Sequence, residues 1–151
     1  MSEPGVEMME AVEQVLAEAV FYSDNREYAL VGLPVSAVTA AAGIIAEIGE
    51  PFSALIVDKD EVSLMIPSEA LEFFASRLPG YTTGDTLYRL ITIDVEVGPE
   101  LIGFMARIST TLAKAEVSVF PYAAYSRDHV FVPAEQVNNA ISSLEGLRAG
   151  G

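Results

Sequence analysis

The chain has 151 residues, 51% of them hydrophobic and 9% aromatic, which is material for one or two packed cores and too apolar for a disordered polymer. It contains no Cys, which excludes disulfides, Cys-ligated zinc and a cysteine nucleophile. Its 22 acidic residues against 8 basic ones give a formal net charge of −14, and such a surface repels phosphate backbones and anionic headgroups.

Met1 to Gly5 read as a loose tail without the basic region of a signal peptide. Glu7 to Glu18 place Met8, Met9, Val12, Val15, Leu16 and Ala19 at helical spacing. Val20-Phe21-Tyr22 predicts a strand, Ser23 to Arg26 a turn, and Glu27 to Leu33 a second strand. Pro34 suits a helix start, and Val35 to Ile48 reads as a mostly buried helix stopped by Gly49-Glu50-Pro51. Phe52 to Val57 and Glu61 to Ile66 form a predicted hairpin around Asp58-Lys59-Asp60. Ser68 is the expected N-cap of a helix running to Leu78.

Pro79 to Asp85 (PGYTTGD) reads as a linker, and after it the order repeats. Leu87 to Val97 is a predicted strand, Leu101 to Ala115 a helix, Val117 to Ala123 and His129 to Val132 strands, and Pro133 to Leu147 a last helix before a frayed tail, Arg148 to Gly151. The order strand–helix–strand–strand–helix thus occurs twice, which predicts an α+β fold of two ferredoxin-like βαββαβ units packed together. The expected domains are residues 1–80, with an N-terminal extension, and 86–151. The second unit runs out of chain before its final strand, so Val20 to Tyr22 is expected to complete its sheet.

The run from Gly103 to Val119 (GFMARISTTLAKAEVSV) resembles the core of the ACT-domain family: a loop ending in Gly, an amphipathic helix, then a strand. Val117 to Val132, and Phe52-Ser53 to Glu61-Val62-Ser63-Leu64, resemble a branch in which two ACT units occur in tandem. That branch is similar to cytosolic arginine sensors and, more distantly, to the regulatory part of aspartate kinase. Departures from the pattern are Glu100, Ile102, Glu116, which stands where Gly or Asn is usual, and Ala123-Ala124, which replace Ser-Thr.

The resemblance implies a regulatory protein that binds an amino acid or similar metabolite at a module interface. It implies no catalysis and no cofactor. Its implied partners are a second copy in a homodimer and a regulated enzyme in trans. The implied ligand-binding residues are Glu100, Leu101, Ile102, Gly103, Phe104, Tyr122, Ala124 and Asp128. The start of the Leu101 helix suits a carboxylate, Gly103 lets a ligand approach the backbone, and Asp128 suits an α-ammonium. The rival reading is a ligand-free structural or dimerisation module of the same fold.

Other chemistry is poorly supplied. His129 is the only His, so neither a metal site nor a Ser-His-Asp triad is expected. No stretch reaches about 18 uninterrupted apolar residues, so no membrane span is expected. Neither nucleic acid nor membrane is an expected partner, and the expected location is cytoplasmic.

Overall fold

A computed structural model describes residues 4–49 and 51–148 of the chain. In chain order the elements are α1 (Pro4–Glu18), β1 (Val20–Tyr22), β2 (Tyr28–Leu33), α2 (Val38–Ile48), β3 (Ala54–Val57), β4 (Val62–Pro67), α3 (Ser68–Phe74), β5 (Thr82–Thr83), β6 (Tyr88–Asp94), α4 (Phe104–Lys114), β7 (Phe120–Ala123), β8 (Asp128–Pro133) and α5 (Val137–Arg148). Short 3₁₀ turns precede α2 and α5 and follow α3. Most of the predicted N-terminal tail, and the end of the C-terminal one, lie outside the described residues; Pro4 and Gly5 are already helical.

Two compact units result. One is Arg26–Tyr88; the other joins the N-terminal stretch through Asn25 to the chain from Arg89 onward. A division at 1–80 and 86–151 groups α1 and β1 with the first module, whereas in the structure they fold with the second.

In the Arg26–Tyr88 unit the strand order is β5–β2–β4–β3, each neighbouring pair antiparallel. Alternation along β2 and β4 sends Val31, Leu33, Leu64 and Ile66 into one core with Ala41 and Ile44 of α2. The β3–β4 turn is held by Asp58, whose Oδ1 accepts the N–H groups of Asp60 and Glu61 at 2.8 and 2.9 Å. Those two bonds hold its carboxyl below the ordinary value. Two expectations are corrected. Ser68 is not the N-cap of α3: it is the first helical residue, Pro67 takes the cap position, and no side chain caps the helix. The stretch read as a linker contains β5, the fourth strand of this unit. Thr83 Oγ1 donates to Leu30 O at 2.8 Å, and a Cβ on Gly32 would meet Thr82 Oγ1 at 3.2 Å. A glycine lets that strand close.

In the other unit the order is β1–β6–β8–β7. The expected completion of the second sheet by the N-terminal strand is observed: β1 runs antiparallel to β6 with Phe21 opposite Ile93. Each unit therefore has the strand order of a ferredoxin-like sheet, and in this one the fourth strand comes from the far end of the chain. Phe104, Ile108 and Leu112 of α4 follow at four-residue spacing and pack with Leu16 of α1, Leu144 of α5 and Ile91 and Val130 of the sheet. Strand β6 ends at Asp94, short of the predicted Val97, because Val95 N–H turns back to Ile93 O and Val97 N–H donates to Ser126 O in the β7–β8 turn.

Helix α4 is capped by Ala115, and the residue after the cap, Glu116, sits at φ 60. The carbonyls around it are met from the last helical region: Gln136 Nε2 donates to Glu116 O, and Asn139 Nδ2 to Ala115 O. A left-handed conformation costs an L-residue about 1 kcal/mol that glycine does not pay. Glu116→Gly is therefore expected to stabilise the protein by about 0.5–1 kcal/mol, seen as a rise of a few degrees in Tm by calorimetry. A fall in Tm would show that the Glu116 side chain does more than tolerate the turn.

Candidate functional site

The loop before α4 is tighter than its sequence suggests. Leu101 N–H donates to Gly98 O at 3.2 Å, so Leu101 and Ile102 stay in a turn and the helix begins at Phe104 rather than Leu101. Gly103 is its N-cap at φ 90, a conformation glycine adopts without strain. Arg107 N–H closes the first turn on Gly103 O, leaving the N–H groups of Phe104, Met105 and Ala106 outside the helical ladder; no side chain caps them. Those donors and the positive end of the helix dipole are a ready partner for an anion.

The β7–β8 turn lies across from this helix start. Ala124 N–H donates to Arg127 O, and Arg127 Nε bonds Asp94 Oδ1 at 2.7 Å. The guanidinium is thus engaged with Asp94, and Asp128 is left half-buried, accepting no hydrogen bond from a described residue. Burial pushes the Asp128 carboxyl up from its ordinary value, partly offset by neighbouring His129. His129 is pushed down by burial and by Arg127 against the pull of Asp128, and its Nδ1 lies 2.9 Å from Thr92 Oγ1.

Between helix start and turn lies an open depression of about 870 Å³. Five of the eight residues expected from the sequence line it: Leu101, Gly103, Phe104, Ala124 and Asp128. The other three do not. Glu100 is exposed, its Oε1 3.0 Å from where a Gly98 Cβ would stand. Ile102 turns to the opposite side of the helix start, and Tyr122 sets its ring edge-on to Phe131 at 5.4 Å. Sequence reasoning missed Glu96 and Ser126, which carried no motif. Tyr125 stands fully exposed on the rim. The charged side chains of the lining are both acidic, Glu96 and Asp128. Among the described residues, no group of three His, Cys, Asp or Glu is arranged to hold a metal. No helix of the described residues is long and apolar enough to cross a membrane.

The four-stranded ferredoxin-like sheet, the amphipathic helix opened by a glycine and the short hairpin beyond it are the fold of ACT domains, and the ACT-domain family model matches residues 85–146. The match covers less than half of the chain, and over that segment the chain is similar to the ACT-domain family. Across nearly its whole length the chain is similar to cytosolic arginine sensor for mTORC1 subunit 1. It is 26% identical to the rat protein over 145 residues, covering 95% of this chain and 41% of the relative, and 24% identical to the human one over 147 residues, with the same coverage. The chain spans about two-fifths of the length of these curated relatives. Among solved structures, a Vibrio cholerae protein of unknown function aligns with TM-score 0.73 at 22% identity, covering 93% of this chain and 98% of that one. The ligand-free regulatory subunit of aspartate kinase from Thermus thermophilus aligns with TM-score 0.58 at 16% identity, covering 85% and 97%. These two share the fold.

Proposed function

We propose that the chain is a cytoplasmic regulatory protein that binds an amino acid in the depression at the start of α4 and catalyses no reaction. The observation that carries this reading is the pairing of opposites on one surface. An uncapped helix start faces the same space as a half-buried carboxylate with no hydrogen-bond donor. A zwitterion satisfies both, its carboxylate on the N–H groups of Phe104 to Ala106 and its ammonium at Asp128. Glu96 adds a second negative charge, which favours a cationic side chain, and the name of the curated relatives makes arginine the first candidate. The output is a shift in homodimer formation or in affinity for a regulated enzyme, which requires that the ligand bind two states unequally.

A thermal-shift screen of the common amino acids tests this. At about a hundred times its Kd a ligand adds about 2.7 kcal/mol and raises Tm by several degrees. Asp128→Asn is expected to erase the shift without lowering the Tm of the free protein. The folded state raises the Asp128 pKa, so the charged form costs stability above the folded pKa, and that cost is relieved as pH falls towards 3.8. The free Asp128→Asn protein should therefore be the more stable at neutral pH, with the difference shrinking as pH falls. A ligand shift that survives in Asp128→Asn would move the site elsewhere, and no shift with any amino acid would leave the depression a structural feature.

A further inference from the structure

The two units repeat one hairpin. Val57 pairs with Val62 across β3–β4, and Ala123 with Asp128 across β7–β8. The turns between them, Asp58–Glu61 and Ala124–Arg127, are closed in the same way: Asp58 N–H donates to Glu61 O at 3.1 Å, and Ala124 N–H to Arg127 O at 3.0 Å. Strands β4 and β8 then run to Pro67 and Pro133, whose backbone angles are φ −52, ψ 138 and φ −52, ψ 137. Val62 therefore stands in the first unit where Asp128 stands in the second, and Asp58 stands where Ala124 does.

The equivalence carries the shape and not the chemistry. Val62 is fully buried and packs with Leu64 and Ile44 in the core of its unit, so it offers an ammonium no acceptor. Asp58 is charged, but its Oδ1 already accepts the N–H groups of its own turn, from Asp60 and Glu61 at 2.8 and 2.9 Å. The helix starts differ in the same sense. Helix α4 opens on Gly103 with the N–H groups of Phe104 to Ala106 outside its ladder. Helix α2 is entered from Pro34, which has no N–H, through a 3₁₀ turn in which Ala37 N–H donates to Pro34 O and Val38 N–H to Val35 O. We infer that each chain takes one molecule of a cationic amino acid, at the depression in the second unit, and that the Arg26–Tyr88 unit keeps the hairpin as structure alone. The inference rests on the amino-acid reading and adds to it a rule of regulation. With one site in a chain, occupancy within that chain follows a simple saturation curve, and cooperativity arises only between chains.

Equilibrium dialysis of the full chain against radiolabelled L-arginine counts the molecules held. The expected count at saturation is one per chain, reached along a curve with a single class of site. Asp128→Asn should bring the count to zero with no weaker site left behind. Asp58→Ala, at the equivalent hairpin, should leave the count at one and the affinity within about twofold of the parent, because the two hairpins share no side-chain partner. The same variant should lower Tm, because it strips the β3–β4 turn of its two side-chain bonds. A count near two, two classes of site, or a count that falls in Asp58→Ala would overturn the single-site inference while leaving the amino-acid reading in place. A parent chain that holds no arginine would sink both.

Discussion

Deletion of residues 1–25 is expected to abolish folding of the unit that begins at Arg89, leaving a protein that aggregates or melts without cooperativity over that part. The deletion removes β1, the partner of β6 along Val20↔Asp94, Phe21↔Ile93 and Tyr22↔Thr92. It opens an edge that carries Ile91 and Ile93, and an unpaired apolar edge is an aggregation site. It also takes Val12, Leu16, Ala19 and Phe21 out of the core, all buried and two of them fully so. At about 1.5–3 kcal/mol for each large side chain, the lost burial alone rivals the whole stability of about 5–15 kcal/mol typical of a domain. The Arg26–Tyr88 unit has its own fourth strand in β5 and should keep its fold. Circular dichroism melts and size exclusion of the truncated chain measure this. Adding a peptide of residues 1–25 in trans should restore a cooperative transition, whereas a soluble, cooperatively melting truncation would show that β1 and α1 are ornament.

That dependence was legible in the residues for a simple reason. The repeat of strand–helix–strand–strand–helix assigns each unit its elements in order, and Val20-Phe21-Tyr22, ahead of the first repeat, was one strand too many where it stood. Strand β5 was hidden by the same kind of logic. Thr82-Thr83 lies between Gly80 and Gly84, where turn residues dominate, and its pairing depends on the absence of a side chain at Gly32, fifty positions upstream. No local pattern reports so distant a condition. The start of α4 was misplaced because Leu101 and Ile102 continue the apolar spacing of the helix; the turn that holds them out of the helix rests on one bond to Gly98 and on the φ of Gly103. Gly103, Phe104 and Asp128 could be read as site candidates because a glycine-opened helix and a hairpin acid have chemistry of their own. Glu96 and Ser126 enter the depression only because the β6 end and the β7–β8 turn meet there through the Val97 N–H bond to Ser126 O, a pairing across 29 residues.

Phe104→Ala should destabilise the protein by about 3–5 kcal/mol, a drop in Tm on the order of 10 °C. Phe104 is the first residue of α4, only 3% exposed, and it belongs both to the core and to the wall of the depression. Its ring holds the uncapped turn of the helix against the sheet, so its loss leaves a cavity where the N–H groups of the proposed site take their aim. Ile108 stands one turn further along the same buried stripe but does not line the depression. Ile108→Ala should cost a similar about 2–5 kcal/mol. The pair therefore separates stability from recognition. At a temperature where both variants are folded, calorimetric titration with the amino acid that shifts the parent Tm should show affinity near that of the parent in Ile108→Ala. In Phe104→Ala affinity should fall about tenfold, the equivalent of one charge-assisted hydrogen bond lost to a wandering helix start. Equal affinities in the two variants would mean that the ligand does not rest on this turn.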